Sequence, residues 1–283
     1  MKPYQDLLTK EKKEFWIKNP VKGEIDIIID GLPAFKMFCE NDDTVVKELY
    51  WTDYKGWELT SLTLWNNLLE EVDNLCVLDI GAYSGIYSLI AAKFDNVEKV
   101  VAFDIQDKCI ARLTKNMQLN QIHNKMTVVQ AACSNVNEQV SFYFYEEAGI
   151  ISSVAGLVPK KMNNLETVVD SIRLDDWVKK HISTSSVALI KMDVEGAEQL
   201  SLKGMQELLE NDKPHILIEI NDPRDIKAVK RLFPRDYNVF DINEEKMILK
   251  KLGRFNKPST YRNYLFTVLT KKELKNVFQG IVN

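Results

Sequence analysis

The sequence predicts an α/β protein with a mostly parallel sheet and helices on both faces. Three observations lead there. β-Prone runs alternate with helix-length amphipathic segments over most of the 283 residues. The first of the alternating units, CVLDIGAYSGIYSLIAAKF (76–94), is an apolar run, a short glycine turn and an apolar stretch at helical spacing. The last run, YRNYLFTVLT (261–270), has no helix before it to reach a parallel partner, so it is expected to close the sheet as an antiparallel strand.

Taken in order, residues 25–38 (IDIIIDGLPAFKMF) set two β-prone runs around Gly31 and Pro33 and predict a hairpin. Residues 57–72 carry apolar side chains at helical spacing. Strands are expected at 75–80, 99–104, 126–131, 187–193, 215–220 and 237–241, with helices at 85–93, 107–120, 197–210 and 223–232. The alternation breaks between 139 and 172. There QVSFYFYEE and ETVVDSIRL read as extra strands around AGIISSVAGLVPKKMNN, a loop long enough to suggest a functional role. No linker-like stretch divides the chain, so one domain with an N-terminal extension is expected.

Composition narrows the class. Hydrophobic residues make up 45% and charged residues 28%, ordinary values for a globular protein. A formal charge of -4 argues against broad nucleic-acid binding. No apolar run approaches the roughly 18 to 20 residues of a membrane helix. The charged N-terminus lacks a signal-peptide core, and Cys39, Cys76, Cys109 and Cys133 lack disulfide or zinc spacing. A cytoplasmic protein is expected.

In open α/β sheets ligands bind at the carboxyl ends of the strands. The first strand brings Asp79 and the turn Gly81-Ala82-Tyr83-Ser84-Gly85 there, and the second brings Asp104, followed by Ile105. The third ends at Ala131 and Ala132, the fourth at Asp193, the fifth at Glu219 with Asn221 beyond. The turn lacks the third glycine of a dinucleotide fingerprint, and a carboxylate beside a helix N-terminus opposes pyrophosphate. It suits a ligand with an ammonium, a sulfonium and a ribose, which describes S-adenosylmethionine. Asp104 lies 23 positions after Gly81, near the spacing at which an acidic residue grips ribose hydroxyls. Asp79 would face the amino-acid portion, and Gly81 and Gly85 would admit close backbone approach.

The segments VLDIGAYSGIYSLIAA, SIRLDDWV and ALIKMDVEGAEQLSLKGMQELLENDKPHILIEI resemble the FkbM family of S-adenosylmethionine-dependent methyltransferases, from about 57 to 270. The resemblance implies a class I methyltransferase (Rossmann-like) mixed sheet with an antiparallel last strand. It also implies methyl transfer, most often to an oxygen of a sugar or glycosylated natural product. Two positions depart from the family pattern. Tyr83 stands where Asn is usual, and FDIQ stands where FEP is usual. On this reading residues 57–283 form the catalytic domain and 1–56 a dimerisation or acceptor element.

A sugar hydroxyl needs a general base or a metal to become nucleophilic. Asp193 is expected to anchor the reaction centre and contact the donor. Glu195 is expected to act as base or to orient the acceptor, while helix capping accounts for Glu198. Glu219, Ser152 and Ser153 are expected to bind the acceptor. Glu58, in the aromatic stretch YWTDYKGWELTS, would help cover the donor, with Trp51 and Trp57 as packing anchors. A divalent ion on Asp193, Glu219 and Asn221 is the less favoured arrangement, because no dense carboxylate cluster is evident. His123, His181 and His215 offer no base. The basic stretch over 246–262 reads as solvated surface or as a contact for a phosphorylated acceptor. Competing functions are N-methylation of an amino sugar or peptide, a Rossmann oxidoreductase, and a non-catalytic cofactor-binding subunit. A homodimer is compatible with the sequence.

Overall fold

The computed structural model describes residues 3–71, 75–144, 155–157, 165–182, 185–222, 225–253, 261–278 and 280–283. Helix α1 (Thr9–Lys18) precedes an antiparallel hairpin of β1 (Lys22–Ile27) and β2 (Phe35–Glu40). Helix α2 (Thr44–Trp51) follows, capped by Asp43, whose carboxylate accepts from the Val46 N–H at 3.1 Å. Helix α3 (Leu59–Glu70) leads into β3 (Leu75–Ile80), α4 (Ile86–Ala91), β4 (Val97–Asp104), α5 (Asp107–Leu119) and β5 (Met126–Gln130). The irregular stretch forms a separate four-stranded sheet from β6 (Ala132–Cys133), β7 (Gln139–Phe144), β8 (Ala155–Gly156) and β9 (Leu165–Ile172).

The chain then returns through α6 (Leu174–His181), β10 (Ser186–Met192), α7 (Glu198–Lys203), α8 (Gln206–Asn211), β11 (His215–Glu219) and α9 (Ile226–Lys230). It ends with β12 (Asn238–Asn243), β13 (Ile248–Lys251), β14 (Asn263–Thr267), α10 (Lys271–Val277) and β15 (Ile281–Val282). The central sheet has the order β15-β13-β12-β14-β11-β10-β3-β4-β5. Strands β3, β4, β5, β10 and β11 run parallel, and β14 runs antiparallel to both β11 and β12. This is the class I methyltransferase arrangement. Its strand order reverses between β3 and β10, which opens the ligand crevice there.

Alternating side chains of β3 feed two apolar layers, as strand geometry requires. Val77 packs with Leu89, Ile90 and Leu113 on one face, while Leu78 packs with Ile190, Leu202 and Ile216 on the other. Burial on both faces explains why these strands read as continuous apolar runs. The helix expected over 197–210 is instead two helices broken at Gly204. A Cβ there would stand 1.9 Å from the Ser134 carbonyl oxygen, so backbone contact, not helical pattern, decides that position. Strands β13 and β15 extend the sheet beyond the sequence-based expectation. Among the described residues no helix is long and apolar enough to cross a membrane.

The hairpin docks on α5 through three side chains spaced at i, i+4 and i+8, which share one helix face. Arg112 donates to Phe38 O at 2.7 Å and to both carboxylate oxygens of Asp42. Asn116 accepts from Phe38 N–H at 2.7 Å, and Asn120 exchanges hydrogen bonds with Lys36 N–H and C=O. These side chains satisfy the edge of β2 as a partner strand would. Asn116 also donates to Ser84 O at 2.8 Å, tying the hairpin to the glycine turn. Asn116→Ala leaves a buried N–H and C=O without partners and should lower unfolding stability by about 1–3 kcal/mol in urea titration; Asn120→Ala, nearer the surface, should cost less.

Candidate active site

The glycine turn is held at both ends by backbone. Gly81 and Ala82 N–H groups both donate to Phe103 O, at 2.9 and 3.0 Å, which fixes the turn on the end of β4. Gly81 has φ +78°, and a Cβ on it would stand 1.8 Å from the Asp193 carbonyl oxygen at the end of β10. Only glycine fits that approach. Gly85, also at positive φ, packs its backbone against Leu113 at the start of α4 and does not line the cavity. Tyr83 takes φ +54°, the left-handed region where the family's usual Asn is more at ease.

A cavity of about 240 Å³ opens over this turn. Of the residues expected to hold the donor, Glu58, Asp79, Gly81, Tyr83, Ser84, Asp104, Ile105, Ala131, Ala132 and Asp193 all line it. Glu195 and Glu219 line it too, with Trp57 at its side. Ser152 and Ser153 lie outside the described residues. Thr44 and Val45 also line the cavity, so the N-terminal segment, which carries no chemical motif, supplies part of the wall.

The carboxylates are tethered differently. Asp79 is buried and accepts from Ser88 N–H at 3.1 Å and Ser88 Oγ–H at 2.6 Å, so it caps α4 from the neighbouring strand. Burial lifts its pKa to about 6 against the pull of Ser88 and Lys191. Asp104 accepts from the N–H groups of Tyr83, Ile105 and Gln106, at 2.9, 2.7 and 3.1 Å. With the Cys109 thiol as a further hydrogen-bond partner, its carboxylate has most of its roughly four acceptor positions taken and braces the turn itself. Glu58, in the left-handed region at φ 40°, accepts from Tyr87 O–H at 2.6 Å and Asn263 Nδ2 at 3.0 Å.

At the far end Asp193 and Glu219 form a carboxyl pair. Burial pushes Asp193 to about 6, and burial together with the Asp193 charge pushes Glu219 to about 9. The two carboxyls resist ionising together, and Glu219 is the harder of the pair to deprotonate. Among the described residues Asp193 Oδ1 is buried without a hydrogen-bond partner. Glu195, at φ +52°, accepts from Asn221 Nδ2 at 2.9 Å on the rim. Arg262 joins Asn221 and lies 3.5 Å from Glu219. Glu198 accepts from Gly196 N–H at 2.8 Å, the capping role expected of it, and burial lifts it to about 7.

Lys191, two residues before Asp193, is the site residue that the sequence reading passed over. It is only 4% exposed and lines the cavity. Burial alone would lower its pKa, but Glu58, Asp193, Glu219 and Asp79 outweigh that and hold it above the ordinary lysine value. The signal was present in the sequence, since a lysine inside the apolar run VALIKM is costly unless it is paired. Among the described residues no group of three or more His, Cys, Asp or Glu is arranged to hold a metal ion. Asn221, assigned to that alternative, is engaged with Glu195 and Arg262. His215, at the start of β11, sits 2.7 Å from Thr267 Oγ1, and burial lowers its pKa to about 4.

The donor set fits S-adenosylmethionine. Gly81, which tolerates no Cβ, leaves its backbone open to close approach, and carboxylates, one of them with an unpartnered oxygen among the described residues, line the cavity beside it. Sheet order and crevice together define the class I methyltransferase fold. A family model described as the methyltransferase FkbM domain matches residues 79–254, and the chain belongs to that family. The ribosomal protein L11 methyltransferase of Exiguobacterium sibiricum is 24% identical over 132 residues, 38% of this chain and 42% of that protein. The protein of the same name from Ruminiclostridium cellulolyticum is 35% identical over 82 residues, 29% of this chain and 26% of the other. The chain therefore spans less than half the length of these curated relatives. The crystal structure of methyltransferase FkbM from Methylobacillus flagellatus KT aligns at TM-score 0.44 and 18% identity, over 69% of this chain and 44% of that one.

The raised carboxyl groups carry a sign for stability. The folded state binds more protons than the unfolded state between the ordinary glutamate range and about 9, so stability falls as pH rises through that window. Glu219→Gln mimics the protonated form. It should unfold at higher denaturant than wild type near pH 8, by on the order of 2 kcal/mol, with the gap shrinking as pH falls towards 5.

Proposed function

We propose that the enzyme methylates a hydroxyl oxygen on a sugar, a glycan or a glycosylated metabolite. The observation that carries this reading is the Asp193–Glu219 pair at the methyl-transfer end of the cavity. Both carboxyls are raised by burial and by each other, so the pair favours sharing one proton over ionising fully. An alcohol is a weak nucleophile and needs a base aligned with it, whereas a neutral amine needs little help. S-Adenosylmethionine, when bound, supplies an electrophilic methyl group on a sulfonium. Asp193 accepts the hydroxyl proton on this reading. Glu219 keeps Asp193 oriented by donating to it, and Glu195 and Arg262 on the rim meet the acceptor's other polar groups. Residues 1–56 contribute to the wall through Thr44 and Val45 and would help shape acceptor entry. A carboxylate-lined cavity disfavours a polyanionic acceptor such as RNA.

The test is mass spectrometry of polysaccharides and small glycosides from cells with and without the protein, seeking the ~14 Da by which a methyl exceeds the hydrogen it replaces. Isotope transfer from labelled donor into the same fraction should follow the protein, and Asp193→Asn should slow it by about 100-fold or more. Label appearing only in amines would replace this reading with N-methylation. Retention of NAD with no methyl transfer would contradict it altogether.

A further inference from the structure

We infer that Lys191 binds the α-carboxylate of the methyl donor while the surrounding carboxylates receive its ammonium, which makes this end of the cavity complementary to a zwitterion. The inference rests on S-adenosylmethionine as donor and is independent of which acceptor is methylated.

Position is the first ground. Lys191 on β10 stands in register with Asp79 on β3 and Leu217 on β11. Asp104 marks the nucleoside end on β4, on one side of β3. A ligand crossing the Gly81 turn from there brings its amino-acid portion to β10, on the other side, above Lys191.

Unspent hydrogen-bonding capacity is the second. The Lys191 ammonium lies 5.1 Å from the Tyr87 ring centroid, a cation–π contact. Among the described residues it donates no hydrogen bond. Two of the four acids around it are already engaged by others, while Asp193 keeps one oxygen unpartnered among the described residues and open to an ammonium. Both oxygens of Glu58 accept, from Tyr87 and Asn263, and Asp79 accepts twice from Ser88. These carboxylates supply a field that keeps the lysine charged without satisfying its three N–H donors. A buried ammonium in that condition is costly until an anion docks on it.

Chemistry is the third. A wall of acids alone would attract the donor's ammonium and sulfonium but repel its carboxylate. Lys191 is the buried cation among the described residues of this cavity. Arg262, at the mouth, is half exposed and engaged with Asn221 and Glu219. The carboxylate must therefore be met by Lys191 or by backbone.

Calorimetry at pH 7.5 with two probes decides the matter: S-adenosylhomocysteine, and its decarboxylated form, which keeps the ammonium and loses only the carboxylate. Wild type should prefer S-adenosylhomocysteine by at least about tenfold. Lys191→Met should erase that preference and leave the affinity for the decarboxylated ligand within about threefold of wild type, while Lys191→Arg should restore part of it. Equal affinity of wild type for the two probes would overturn the inference with no variant needed, and so would a preference that survives in Lys191→Met. Failure of wild type to bind either probe would instead strike at donor usage itself, and the inference would fall with it.

Discussion

One close approach organises the molecule: the backbone of Gly81, at the end of the first strand of the crevice, against the carbonyl oxygen of Asp193 at the end of the fourth. No side chain fits between them. The contact brings two strand ends together at the place where the sheet order reverses, so the carboxylates that follow each strand converge on one cavity. The double hydrogen bond from Gly81 and Ala82 to Phe103 does the same for β4. Asp104 then closes the turn by accepting from Tyr83. Fold and site are thus one construction, and the hairpin joins it through Asn116, which reaches both Phe38 and Ser84.

That convergence has an electrostatic cost. Asp79, Asp193, Glu198 and Glu219 are all held above their ordinary pKa, chiefly by burial. Lys191 and protonation of Glu219 reduce the repulsion but do not abolish it. A site that is strained without ligand and relieved by a cation gains affinity from that relief, because binding replaces proton uptake as the means of neutralisation.

Much of this was legible in the sequence. Parallel strands buried on both faces announce themselves as apolar runs, and the strand-end rule collected Asp79, Asp104, Asp193 and Glu219 without coordinates. What escaped did so for physical reasons. Gly204 breaks a helix through a contact with Ser134, 70 residues away in sequence, which no local pattern encodes. Gly85 proved to serve helix packing, since a glycine that frees a turn and one that admits a ligand look alike in a row of letters. Thr44 and Val45 reach the cavity through tertiary contacts, among them the docking of the hairpin on α5. Lys191 was hidden by its place inside a strand, where the sequence shows an anomaly but not its four acidic neighbours.

The most direct test of the cation-shaped crevice is proton release on donor binding. S-Adenosylmethionine can be titrated calorimetrically at pH 6 in buffers of different ionisation enthalpy, near the raised pKa of Asp79 and where burial also favours protons on Asp193. A cation seated among these carboxylates should expel protons, and the observed heat should vary linearly with buffer enthalpy. Binding with a heat independent of buffer, or no binding at all, would mean that the carboxylates do not face the cationic end of the donor.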